Sequence, residues 1–152
     1  MFFATCTCLA IALAILVFPA DLFWAYGAPE RYLAGAHEFV GPAVVSDDQT
    51  DRQTPPSAVI AWRRLAAARD TASFVRLLDA RSPAARLYGL AGLRLLAPAF
   101  AERGAPRLRE SPDTVYVNWA CTEQWMPLAA ATNELDVRGW TDTLSFARGG
   151  CR

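Results

Sequence analysis

Few residues in this chain have the type and spacing to do chemistry. His37 is the single histidine, so a zinc site built from several His or Cys ligands is excluded. Any Cys-His or Ser-His pair would have to use it. The acids Glu123, Glu134, Asp136 and Asp142 gather towards the C-terminus, and paired acids can do general acid–base work. No spacing forces any two of them together. Cys121 with Glu123 and the distant His37 would make a nucleophilic arrangement, but no catalytic local signature surrounds it. Asp47, Asp48 and Asp51 lack the alternating acids and turn glycine of an EF-hand loop. These residues assign no catalytic role, no cofactor-binding residue and no metal ligand. The alternative left open is a small secreted hydrolase using those carboxylates or Cys121.

The cysteines speak about compartment instead. Cys6 and Cys8 lie in an apolar segment, where they read as small hydrophobes. Past that segment only Cys121 and Cys151 remain, and in an exported chain two cysteines pair. Closing that loop is worth about 3.5 kcal/mol in the chain-entropy account. Gly149 and Gly150 give the tail a flexible approach. The CxxCH pattern of covalent haem attachment is absent.

Met1–Ala20 carries no charged side chain. Twenty residues at helical rise cross a bilayer core of about 30 Å. The segment suits either a retained anchor or a secretory signal, with Ala25 and Gly27 placing cleavage before Ala28. Phe23, Trp24 and Tyr26 suit an aromatic belt at a membrane interface. A third reading is a buried helix of a soluble protein; in the first two the body is exported, to a periplasmic or other extracytoplasmic place. All fifteen basic residues are arginine against fifteen acids. This balance leaves no nucleic-acid footprint.

The elements that must position everything else begin after a polar, proline-punctuated linker, Gly41–Ser57. Before it, Glu30–Val40 reads as a short helix with Tyr32, Ala36 and Phe39 on one side. After it, Ala58–Arg69 shows an apolar face of Val59, Trp62, Leu65 and Ala66. Asp70 then opens a helix with Phe74, Leu77 and Leu78 at i, i+3, i+4 spacing. Ser82-Pro83 starts the central helix, Ser82–Leu96 (SPAARLYGLAGLRLL): serine caps, and proline suits the first helical position. Its apolar residues point almost all round, leaving a narrow wet strip flanked by Arg86 and Arg94. Such a helix must be wrapped by others. Gly89 and Gly92 each cost about 1 kcal/mol against alanine, which close approach of another helix would offset. Pro98–Leu108 follows, interrupted by Gly104 and Pro106. At Ser111-Pro112-Asp113 the period shifts to two, and Thr114–Cys121 reads as a strand. The remainder reads as one or two further strands. A lone strand would leave its edges unpaired, so a small sheet should lie against the bundle.

Asp70–Ala80 followed by Ser82–Leu96 resembles a HEAT-type helical hairpin, with Pro83 and Arg86 at the start of its second helix and small and leucine positions after them. The resemblance spans about 27 residues and is degenerate. It implies α-solenoid stacking and protein binding, and carries no catalytic residues. With one unit instead of the three or more a solenoid needs, the expected fold is mainly α. It has an N-terminal hydrophobic helix, a small antiparallel helical bundle with this HEAT-like hairpin, and a short C-terminal β element stapled by a disulfide. Residues 1–27 form the leader or anchor, 28–56 a membrane-proximal segment and linker, 57–110 the bundle and 111–152 the β-containing part. The expected role is a non-catalytic protein-binding or structural module, such as an accessory subunit of an integral membrane complex. Trp119, Trp125 and Trp140 are interface candidates because tryptophan is enriched at binding hot spots. The competing reading places them in the core of the small sheet.

Overall fold

The computed structural model describes residues 20–40, 57–119 and 122–135. Among them are seven helices and three strands. In chain order these are α1 (Ala20–Gly27), α2 (Pro29–Ala34), β1 (Glu38–Val40), α3 (Ser57–Ala67) and α4 (Thr71–Leu78). Then come α5 (Pro83–Leu96), α6 (Pro98–Arg109), β2 (Thr114–Trp119), β3 (Thr122–Pro127) and α7 (Leu128–Glu134). The fold is mainly helical, with a three-stranded sheet ordered β1-β2-β3.

The central helix, α5, behaves as its composition demands. Ser82 Oγ accepts the Ala85 N–H at 3.3 Å, and Pro83 occupies the first turn. Leu87, Tyr88, Leu90, Ala91 and Leu93 are fully buried. The two glycines admit α4. A Cβ on Gly89 would lie 2.8 Å from the Phe74 carbonyl oxygen, and one on Gly92 would sit inside the Phe74 ring. Asp70 caps α4 by accepting the Ser73 N–H at 3.0 Å. Arg69, between α3 and α4, has φ 54°. Its N–H reaches Ala66 O while Asp70 N–H reaches Leu65 O, a helix-closing turn that usually holds glycine.

The arginine-flanked strip of α5 is not wet, which corrects the sequence expectation. Leu90, at its centre, is fully buried. Arg86 pairs with Asp113 at the approach to β2. Arg94 donates to the carbonyls of Thr132 (2.9 Å) and Leu135, at the C-terminal end of α7. There a guanidinium satisfies carbonyls that have no partner inside the helix and complements the negative end of its dipole. The strip is where the C-terminal part docks.

Three further expectations change. The segment 30–40 is not one helix: α2 stops at Ala34, and 38–40 is a strand. The Ala36 carbonyl accepts the Ser82 hydroxyl, the Val40 N–H reaches Tyr88 Oη at 2.8 Å, and the segment pairs with β2. These bonds satisfy the backbone in extended form. Helix α6 runs unbroken through Gly104 and Pro106, held by buried Ala101, Ala105 and Leu108. Residues 128–134 are helical, not strand, with Leu128, Ala131, Thr132 and Leu135 buried at i, i+3, i+4, i+7.

Strand β1 pairs parallel with β2, and β2 antiparallel with β3. Val115, Val117 and Phe39 are turned into the core. One continuous cluster joins residues from α1 to α7, including Leu33 and Phe39 from the segment before the linker.

Candidate functional site

Alternation along the strands decides what the sheet shows to the outside. The inward faces of β1 and β2 carry Phe39, Val115 and Val117, so Glu38, Tyr116 and Trp125 fall on the other face. Register sets them in one row: Glu38 opposite Tyr116, and Tyr116 opposite Trp125. The Tyr116 and Trp125 rings stand 5.5 Å apart, tilted by 58°. Aromatic pairs directly opposite across strands favour this arrangement. Trp125 is 67% exposed.

This row is the floor and one rim of a cleft of about 640 Å³. Tyr32 and His37 come from the segment around α2, and Ser57 and Ala58 from the start of α3. Strand β1 is fixed to the core below by Tyr88. Its ring packs on Phe39 with centroids 4.8 Å apart, its hydroxyl holds the Val40 N–H, and its carbonyl accepts Trp62 Nε1–H at 3.2 Å. Burial holds the Tyr88 phenol far above the usual tyrosine range. It therefore stays neutral and available as an acceptor.

On the same face, Tyr116 Oη donates to Glu123 Oε2 at 3.1 Å, and Asn118 Nδ2 donates to Glu123 Oε1 at 3.0 Å. The Glu123 bond raises the Tyr116 phenol above its ordinary value. No lysine or arginine among the described residues lines the cleft. Its titratable lining is Tyr32, His37, Glu38 and Tyr116, with the Glu123 carboxylate bonded to the last.

A second polar cluster went unforeseen. Ser73, almost fully buried, places Oγ 2.7 Å from Glu30 Oε2, 2.6 Å from Asp70 Oδ2 and 2.8 Å from Arg76 Nη2. Arg76 grips Glu30 through two nitrogens, each at 2.7 Å. Both carboxyls are held below their usual range, Glu30 chiefly by Arg76 and Asp70 chiefly by Ser73. One hydroxyl proton serves two carboxylates, and Arg76 offsets the charge of the pair. Every carboxylate oxygen here is already engaged, which makes the cluster a staple of α2 onto α4. The i, i+3 spacing of Asp70, Ser73 and Arg76 was readable; the arrival of Glu30 from α2 was not.

Glu123 and Glu134 are exposed, and no hydrogen bond or ion pair joins them. Asp136, Asp142, Trp140, Cys121 and Cys151 lie outside the described residues, as do Cys6 and Cys8, Asp47, Asp48 and Asp51, and the side chains of Phe23 and Trp119. Of the three interface tryptophans only Trp125 can be placed, and it is on the surface. Trp24 and Tyr26 are 47% and 48% exposed. The Arg31 guanidinium stands 5.8 Å over the Trp24 ring, and that of Arg64 5.0 Å over Tyr26. Among the described residues no helix is long and apolar enough to cross a membrane, and no group of three or more His, Cys, Asp or Glu converges as a metal site.

The chain matches no family model, no curated protein and no solved structure.

Proposed function

We propose that this chain is an exported, non-catalytic binding module that receives a protein partner on the outer face of its sheet. The observation that carries the reading is Trp125: a large, rigid ring, two-thirds exposed, set against Tyr116 on the rim of a cleft. Exposed aromatic anchors of this kind dominate protein interfaces. The acids support the same reading over a hydrolase. Glu123 is exposed, its two oxygens are taken by Tyr116 and Asn118, and it is not joined to Glu134, whereas the hydrolase reading needs paired acids.

The apolar Met1–Ala20 supports export, by a retained anchor or a cleaved signal. Exposed Trp24 and Tyr26, each beneath a guanidinium, suit the headgroup layer beside an anchor. In this reading the body sits against a membrane as an accessory subunit, and Cys121 and Cys151 pair. The HEAT-like resemblance of 70–96, a protein-binding repeat, belongs to the proposal and rests on sequence.

The test is extraction from native membranes in mild detergent, with wild-type and Trp125→Ala protein compared for what co-purifies and intact mass read on both. A partner that stays with wild-type and is lost from Trp125→Ala is expected, with a mass lacking two hydrogens for the bridge. A partner-free soluble species beginning at Ala28 overturns the membrane-subunit reading.

A further inference from the structure

Resting on that reading, we infer that the cleft receives a cationic side chain, lysine or arginine, presented by an extended segment of the partner protein. The row Glu38–Tyr116–Trp125 carries the argument. Neighbouring strands lie about 4.8 Å apart, so a carboxylate and an indole stand about 10 Å apart with a phenol ring between them. A cation entering over Tyr116 meets a negative charge on one side and a π face on the other. Each is an attraction that a neutral or anionic group lacks.

The surroundings point the same way. Glu123, bonded to the Tyr116 hydroxyl, adds a second negative charge on this face. Glu30, Asp79 and Asp113 are paired with arginines, whereas no arginine among the described residues lies within ion-pair distance of Glu38 or Glu123. The cleft holds about 640 Å³ and Trp125 on its rim is two-thirds exposed, so the geometry suits a side chain arriving on a chain better than a small caged ion. The linker 41–56, which leaves at Val40 and returns at Ser57, is a poor occupant by charge: it holds Asp47, Asp48 and Asp51 against the single Arg52.

The test uses the full chain in mild detergent and fluorescence anisotropy of three labelled hexapeptides. They are identical except for two central positions bearing Arg, Leu or Glu. Selective binding of the Arg peptide is expected. Glu38→Gln and Trp125→Ala should each weaken it about fivefold, Trp125→Phe should keep most of the affinity, and Glu102→Gln, the same charge change on α6, should do nothing. Equal binding of the Leu peptide, still lost in Trp125→Ala, overturns the cationic inference and leaves the binding module standing. Binding indifferent to Trp125, or no binding of any peptide, removes both. Equal weakening by Glu102→Gln assigns the effect to bulk charge and overturns the inference. So does tetramethylammonium competing in the peptide's own concentration range, which would mark a small-cation site.

Discussion

Replacing Gly89 with alanine sets two effects of known size against each other. Alanine in a helix interior is favoured over glycine by about 1 kcal/mol. Against this, the new methyl would meet the Phe74 carbonyl oxygen at 2.8 Å and the Leu78 nitrogen and Leu77 Cβ at 3.0 Å. Two of these are backbone atoms of α4, so relief requires the helices to separate, and α4 is held by buried Phe74 and Leu77 on this side. Overpacking of a fixed core costs about 1–3 kcal/mol, and backbone contact belongs at the upper end. The net expectation is a loss of about 2 kcal/mol, or a melting point about 4–8 °C lower for a chain of this length. Gly104→Ala is the control. The three atoms nearest its methyl all belong to the Leu78 side chain, first the terminal Cδ1, 2.7 Å away. That group can rotate aside, so the change should lie within about 0.5 kcal/mol of neutral or be stabilising. Urea unfolding followed by circular dichroism measures both. If Gly89→Ala matches Gly104→Ala or gains stability, α4 and α5 are not in backbone contact and the account of the central helix is wrong.

Other outcomes follow from single contacts. Tyr88→Phe strands the buried Val40 N–H, for a loss of about 1–3 kcal/mol; hydrogen exchange should show that amide opening before those of α5. Arg94→Ala removes the donor to the Thr132 and Leu135 carbonyls, and should destabilise by about 1–2 kcal/mol with the loss of protection confined to 128–135. Arg69→Gly relieves a left-handed non-glycine residue and should raise stability by up to about 1 kcal/mol in the same urea assay. Glu30 and Asp70 have folded values below their unfolded ones. Their contribution is therefore present above the ordinary carboxyl range and fades as pH falls through the folded values. Melting curves between pH 6 and pH 3 should decline less steeply for Glu30→Gln than for wild-type.

What could be read from the sequence was local. Ser82-Pro83, the all-round leucines and the two glycines defined α5 and the side α4 would occupy, because capping and packing density act within one turn or between adjacent helices. The alternation at Val115 and Val117 gave β2 for the same reason. Strand β1 escaped because its three residues are made extended by partners far along the chain: Ser82, Tyr88 and β2. Helix α7 was legible in principle. Leu128, Ala131, Thr132 and Leu135 keep helical spacing, but the aromatic residues around them drew the reading towards strands. Arg86 and Arg94 were misjudged because an arginine can lay its stem along a buried surface while its head serves carboxylates and carbonyls. Of the cleft, Trp125 is legible as an interface candidate from its residue type. Its row with Tyr116 and Glu38 needed a register that no single strand encodes.

The parallel ladder between Glu38–Val40 and Thr114–Trp119 encloses α3 to α6 in one long loop of chain. Helical hairpins close early because their partners are near in sequence, whereas this ladder must wait for Thr114–Trp119, far along the chain from β1, to emerge. A ribosome-bound or truncated product ending before residue 114 would therefore carry α1 to α6 but lack β2, β3 and α7, and with them the sheet. Glu38–Val40 would then have no strand to pair with, because the row of Glu38, Tyr116 and Trp125 forms only once β2 and β3 are in place.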